Sequence, residues 1–263
     1  MRGRRIDREI KVDEERNGKM ASFLKDVSKF YGTGEKNGTG QTLDEFLKEY
    51  DPYRYKTPSC TTDAVIFAYE GERCETIEGL KILLIKRGNH PSIGFWALPG
   101  GFIELEENLE DTARRELMEE TGIEGLVMEQ LAAYGDFDRD PRARVITTAY
   151  MAMVRLEDVK VRAGDDAADA MWCEMELRET ALEETKLKEK KEEGGEVRIY
   201  RLILKNKERA FETEAWVKCT AKGEGGLIRE EKFTVVRQGR TASDYAAIIV
   251  QGLLKIKERM RKS

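Results

Sequence analysis

Three glutamates in the segment RRELMEE, Glu116, Glu119 and Glu120, have the spacing to work together. Because an α-helix turns about 100° per residue, their carboxylates would fall within one arc of roughly 100° on a helix. Like charges at this spacing destabilise an isolated helix, and a bound divalent cation such as Mg²⁺ would relieve the repulsion with the oxygen ligands that it prefers. Arg115 could hold one carboxylate by a bidentate contact. The pattern predicts a cation site; in a chain this rich in Glu, a solvated helix face is the competing interpretation.

The residues around this cluster indicate how it would be positioned. A helix is predicted from Asn108 to Thr121, and Gly122 would end it in the left-handed conformation. Before the helix, Gly100 and Gly101 allow a tight turn in which a main-chain carbonyl can approach the same cation. The chain is therefore expected to bring backbone and carboxylate oxygens together at one end of this helix.

Apolar runs elsewhere predict a mixed α/β fold. Strand-like runs begin at Thr62, Leu80, Leu126, Arg144 and Asp169. Three further runs, RIYRLILKN, AFETEAWVKCT and EKFTVVRQG, suggest a small antiparallel insertion, and a last helix is predicted to begin at Ser243 or Asp244. The charged stretch from Glu176 to Glu193 is expected to be an exposed helix or loop.

We divide the chain on this basis into a flexible N-terminal extension (1–42) and one domain (43–263). Within the domain, residues 176–236 are the expected β-rich insertion and 241–262 the terminal helix. Thr42 is expected to cap a short helix, LDEFLKEY, at the start of the domain.

The composition narrows the possible functions. With 46 Lys and Arg against 51 Asp and Glu in 263 residues, the formal net charge is −5, which argues against broad nucleic-acid binding. The apolar runs are much shorter than the ~20 residues that span a bilayer, so no membrane partner is expected. Four scattered cysteines suggest reduced thiols in a cytoplasmic protein. The single histidine, His90, excludes His-based zinc sites and leaves the chemistry to carboxylates.

The spacing of the wider segment resembles the Nudix hydrolases. The box of that family is matched without a departure by Gly101, Glu107, Arg115, Glu116, Leu117, Glu119, Glu120, Gly122 and Ile123. The likeness extends over about residues 43–176 and the last helix. GFWALPGGFIE and YGDFDRDPRARVITTAYMA are similar to the ADP-ribose pyrophosphatase branch and its regulator relatives.

The resemblance implies an α/β/α sandwich with a mixed sheet, in which the box holds Mg²⁺ or Mn²⁺. It implies that Glu116, Glu119 and Glu120 are metal ligands with the Gly101 carbonyl, and that Arg115 orients Glu116 together with Glu107. Glu119, Glu116 and Arg115 would then be the catalytic residues.

Other residues are candidates for substrate contact or proton transfer. Arg139 and Arg142 in the DRDPR segment would contact a phosphate or the terminal ribose, with surface salt bridges as the alternative. Arg87 could also meet a phosphate. The general base would be a box glutamate or an acid on a later loop, Asp165 or Asp166, for which a solvated turn is the alternative.

The first functional hypothesis is an Mg²⁺-dependent hydrolase that splits ADP-ribose, or a related nucleoside diphosphate, into AMP and a sugar phosphate. The alternatives are a transcriptional regulator that senses ADP-ribose, and a Nudix hydrolase of another nucleotide such as NADH or 8-oxo-dGTP. No helix–turn–helix pair is recognisable after Glu176, which disfavours the regulator. A small nucleotide is the expected partner. The alternating strands of residues 197–236 are expected either to cover the site or to form the face of a homodimer.

Overall fold

The structure is a computed structural model that describes residues 22–162, 167–180, 196–223 and 228–262. By their internal contacts the residues divide into two units, 1–57 and 58–263. The first unit contains the helix α1 (Leu43–Glu49), which begins at Thr42 with a capping box formed with Glu45. The predicted cap is confirmed: the Thr42 hydroxyl accepts from the Glu45 N–H, and the Glu45 carboxylate accepts from the Thr42 N–H.

The second unit is built on one mixed sheet. Its strands in chain order are β1 (Ser59–Tyr69), β2 (Lys81–Arg87), β3 (Trp96–Ala97), β4 (Gly100–Phe102), β5 (Glu129–Tyr134), β6 (Val145–Arg155), β7 (Ala167–Thr180), β8 (Glu196–Asn206), β9 (Phe211–Lys222) and β10 (Glu230–Arg237). The order across the sheet is β10-β9-β8-β7-β2-β1-β6-β5, with β3 paired to β2 and β4 paired to β1. The pair β1 and β6 is parallel, and the other pairs are antiparallel.

Two helices cover opposite faces of this sheet. Successive side chains of a strand point to opposite faces, and β1 contributes to two separate apolar clusters accordingly. Val65 and Phe67 pack with the buried face of α3 (Tyr245–Met260), whereas Ala64 and Ile66 pack with Leu117 of α2 (Leu109–Thr121). The predicted α/β/α sandwich with a mixed sheet is confirmed. No helix in the described ranges is long and apolar enough to cross a membrane.

β7 is longer than the sequence indicated. The expected helix or loop from Glu176 is wrong for Glu176–Thr180, because these residues continue β7. The first half of β7 pairs with β2, and its second half pairs with β8. The strands β8, β9 and β10 therefore extend the main sheet. Residues 181–195, the rest of the charged stretch, lie outside the described part of the chain.

Candidate active site

Arg115 is the hub of the acidic cluster on α2. Its Nε donates to Glu107 Oε1 at 2.7 Å, and its Nη2 donates to Glu107 Oε2 at 3.0 Å. Its Nη1 donates to Glu116 Oε1 at 2.8 Å and to Glu119 Oε2 at 3.1 Å. A further bond runs from Nη2 to the Phe102 carbonyl at 3.2 Å. The guanidinium thus joins the loop before α2, two turns of α2 and the end of β4.

The Gly100–Gly101 turn closes against the same helix. The Gly100 N–H donates to Glu120 Oε2 at 2.8 Å. A side chain at Gly101 is impossible without a shift, because its Cβ would lie 2.4 Å from the Glu116 carboxylate. Glu116 and Glu120 are therefore held against the backbone of β4, while Glu119 is 52% exposed. The expected approach of the Gly101 carbonyl to a cation beside these carboxylates stays a prediction.

The charges in this cluster perturb one another. Hydrogen bonds from Arg115, and then from Thr112, lower the pKa of Glu107 to about 2. Burial raises the pKa of Glu116, and Arg115 opposes that rise. The pKa of Arg115 is raised mainly by its hydrogen bond with Glu107, so the guanidinium stays charged.

The oxygens of the cluster have the chemistry that a hard divalent cation requires, carboxylates beside a glycine backbone with no room for a Cβ. As they stand, Glu116 and Glu119 are bonded to Arg115, and Glu120 is bonded to the Gly100 N–H. Within the described ranges, no three acidic, cysteine or histidine side chains converge closely enough to hold a metal ion. The assignment of the metal ligands stays a prediction.

A cleft of about 480 Å³ opens between β4, the C-terminal half of α2 and the loop that follows β5. Its walls bring together candidates that are far apart in the sequence: Arg87, Gly101, Arg115, Glu116, Glu120, Arg139 and Arg142. Acidic and basic groups both line this cleft: Arg115 lies among the acids of α2, and Asp140 and Asp63 lie beside Arg142 and Arg139. Such a site suits a ligand with several phosphate oxygens, with or without a cation.

The three candidate arginines differ in how much of each guanidinium is already engaged. Arg139 is 7% exposed, and it binds Asp244 through Nε at 3.0 Å and Nη2 at 2.9 Å. Arg142 binds Asp140 through Nε and Nη2, yet it is 47% exposed and its Cζ lies 5.5 Å from the Phe102 ring centroid. Arg87 donates from Nε to the Pro91 carbonyl at 2.7 Å. Arg142 is the most exposed of the three, and Arg87 bonds a backbone carbonyl and not an acid, so both are placed to meet a ligand, whereas Arg139 is tied into the protein.

Asp63 is a cleft residue that sequence reasoning missed. It lies on β1, almost fully buried, where its Oδ2 accepts from the Thr147 hydroxyl at 2.6 Å and lies 3.9 Å from Arg139 Nη2. Burial raises its pKa to about 6, although the hydrogen bond from Thr147 and the charge of Arg139 oppose the rise. A single acid inside the apolar run TDAVIF, on the same face as Val65, was the signal that could have found it.

The loop acids that were candidate general bases, Asp165 and Asp166, lie outside the described residues. The box glutamates are within them, as set out above.

Comparison with known proteins identifies the family to which the chain belongs. The model of the NUDIX domain matches residues 61–193, about half of the chain. The chain belongs to the Nudix family. The matched range contains the whole acidic cluster and the candidate arginines.

Two curated relatives of this Nudix chain are both named for ADP-ribose. The ADPR responsive transcriptional repressor NtrR of Acinetobacter baylyi is 40% identical over 114 residues, which cover 43% of each chain. The ADP-ribose pyrophosphatase of Methanocaldococcus jannaschii is 45% identical over 95 residues, covering 36% of this chain and 55% of that protein. The chain thus spans about half the length of the curated relatives that it matches.

A solved structure shares most of the fold. The MutT/nudix family protein from Enterococcus faecalis is 27% identical with a TM-score of 0.56, and the match covers 83% of this chain and 70% of that one. The likeness therefore extends beyond the residues matched by the family model.

Proposed function

We propose that this Nudix chain is a divalent-metal-dependent hydrolase that cleaves the diphosphate of ADP-ribose, giving AMP and ribose 5-phosphate. The observation that carries the proposal is the shared cleft, in which Glu116 and Glu120 face the same space as Arg87 and Arg142. A diphosphate needs cationic contacts to its oxygens and a group that activates water on the other side.

In this proposal Arg142 and Arg87 bind phosphate oxygens, and Phe102 beneath Arg142 limits where that guanidinium can move. Arg115 keeps Glu116 and Glu119 in place through its own contacts.

Glu116, Glu119, Glu120 and the Gly101 carbonyl would hold Mg²⁺ or Mn²⁺. The bound ion would neutralise the charge of the phosphates and lower the pKa of water. The general base would be a box glutamate, with Asp165 or Asp166 as the alternative.

The choice of ADP-ribose is supported by the two relatives whose names contain it, at 40% and 45% identity over the Nudix core. The cluster and arginines account for a diphosphate and do not by themselves read a base. Hydrolysis of NADH or 8-oxo-dGTP would use the same groups, so the substrate has to be measured.

The experiment is a panel of ADP-ribose, NADH, ADP-glucose, diadenosine polyphosphates and 8-oxo-dGTP, each with Mg²⁺, with Mn²⁺ and with chelator. Metal-dependent cleavage that is strongest for ADP-ribose is the expected result. Cleavage confined to another member would keep the chemistry and replace the substrate. The absence of cleavage for every member would reject the hydrolase.

A transcriptional regulator that senses ADP-ribose is the second candidate, favoured by the similarity to the repressor NtrR. After β7, the described residues form three antiparallel strands and α3, without a helix–turn–helix pair. A gel shift with the DNA upstream of the gene, reversed by ADP-ribose, would make this the better account. The chain would then bind DNA, contrary to the expectation from its net charge.

A further inference from the structure

Asp244, the N-cap residue of α3, makes no capping hydrogen bond with its side chain. Asp244 occupies the N-cap position, where a carboxylate would ordinarily accept from a free N–H of the first turn, but it makes no such bond. Ser243, just before it, has a φ of 44°, which a residue with a Cβ rarely adopts. Both features cost free energy locally, so other contacts must hold this junction in place.

Those contacts reach the loop that carries the candidate arginines. The Asp244 carboxylate accepts hydrogen bonds from Nε and Nη2 of Arg139. The Ser243 hydroxyl donates to the Arg139 carbonyl at 3.0 Å. Three hydrogen bonds therefore connect residues about a hundred positions apart in the sequence. They involve both the side chain and the backbone of Arg139, so they fix the loop itself as well as one guanidinium.

The same junction is anchored beside the Gly100–Gly101 turn. The Trp96 N–H donates to the Arg240 carbonyl at 2.9 Å, and the Ala242 N–H donates to the Trp96 carbonyl at 2.8 Å. Trp96 begins β3, which leads directly into that turn. The segment that leads into α3 thus contacts β3 on one side, and the start of α3 contacts the loop of Arg139 on the other.

We propose that Ser243 and Asp244 form a clamp, called here the Ser243–Asp244 clamp, that positions the 139–142 loop over the cleft. They are positioning residues, since they act on a ligand through Arg139 and Arg142. Asp63 supports the clamp from the sheet, where its carboxylate faces Arg139 at 3.9 Å. The consequence for ligand affinity rests on the proposed function; the consequence for the loop does not.

The test compares the full-length variant Asp244→Asn with Glu129→Gln, which removes the ion pairs of Glu129 with Lys255 and Arg259 at the other end of α3. Hydrogen exchange followed by mass spectrometry is measured over residues 136–144. We expect exchange there to rise several-fold in Asp244→Asn and to stay unchanged in Glu129→Gln. Equal exchange in the wild type and Asp244→Asn would overturn the clamp.

Ligand affinity gives the second readout. For ADP-ribose, Asp244→Asn should raise KM about tenfold with kcat within twofold, as expected when only a positioned charge-assisted contact is lost. In an Arg139→Lys background, which lacks the bidentate contact, Asp244→Asn should add little, because both changes remove one interaction. Additive losses would mean that Asp244 does not act through Arg139. If the wild type neither binds nor cleaves ADP-ribose, the proposed function fails, and hydrogen exchange still decides the clamp.

Ser243→Gly covers the case in which Asp244→Asn does not fold. Glycine adopts a positive φ without strain, so this variant removes the hydroxyl contact and keeps the backbone conformation. The clamp predicts faster exchange over residues 136–144 in a protein at least as stable as the wild type. Unchanged exchange in Ser243→Gly would overturn the part assigned to Ser243.

Discussion

Asp63 allows a sharp prediction because its buried carboxylate is expected to work against the stability of the fold. Its pKa is raised from 3.8 to about 6, chiefly by burial. An acid whose pKa is higher in the folded state favours the fold when protonated. Its stabilising contribution to the free energy of unfolding is therefore complete below the pKa of the unfolded state. That contribution is lost as the pH rises through the pKa of the folded state. A shift of about two pKa units corresponds to about 3 kcal/mol.

The perturbation is Asp63→Asn, which keeps an oxygen acceptor for the Thr147 hydroxyl and does not ionise. The free energy of unfolding of the wild type minus that of Asp63→Asn should fall by about 3 kcal/mol between about pH 4 and pH 7. Activity should fall in the same variant, because the charge opposite Arg139 is lost. Stability and function are then in conflict at this position.

The assay is urea denaturation of both proteins at several pH values across this range, with the slope of the transition checked for constancy. Glu129→Gln is the matched control. Hydrogen bonds and charges from Arg259 and Lys255 lower the pKa of Glu129, so its contribution to stability is present at neutral pH and is lost as the pH falls. The pH trend of this control should have the opposite sign. A difference between wild type and Asp63→Asn that does not change with pH would refute the reasoning.

Two further predictions concern the acidic cluster. Gly101→Ala should reduce turnover by at least about 100-fold, because its Cβ would displace the Glu116 carboxylate from its place beside the backbone. Gly38→Ala, where a Cβ meets nothing within 4 Å, is the control and should leave turnover unchanged. Arg115→Lys should lower the affinity for Mg²⁺ roughly 10- to 100-fold, because an ammonium cannot reproduce the contacts to Glu107 and Glu116. Titration of activity with Mg²⁺ measures this, and an unchanged midpoint would contradict it.

The local features of the site were predictable from the sequence because they depend on short-range rules. The helix from Asn108 to Thr121 and its end at Gly122 are confirmed, since helix periodicity and a left-handed glycine are local signals. The contact between the Gly100–Gly101 turn and the acids of α2 also follows from residues within about twenty positions of one another. That Arg139 and Arg142 would line the same cleft was expected from the family resemblance alone.

The rest depends on contacts between distant parts of the chain. Asp244 was identified as a cap from its residue type, but its carboxylate binds Arg139, and no local pattern indicates a partner 105 positions away. Asp63 was missed for the same reason. Its partners lie on β6, on the loop that precedes β6 and on α3. The continuation of β7 beyond Glu176 depends on pairing with β8, which the charged composition of that stretch concealed.

The central claim is that the acids of α2 act on a diphosphate held in the same cleft. The most direct test is the rate at which AMP is released from ADP-ribose at saturating Mg²⁺ by the wild type and by Glu120→Gln, with binding of ADP-ribose measured for both. The account predicts a loss of at least about 100-fold in kcat, with binding of ADP-ribose retained. An unchanged kcat in Glu120→Gln would contradict it, and so would a wild type that binds ADP-ribose tightly and releases no AMP.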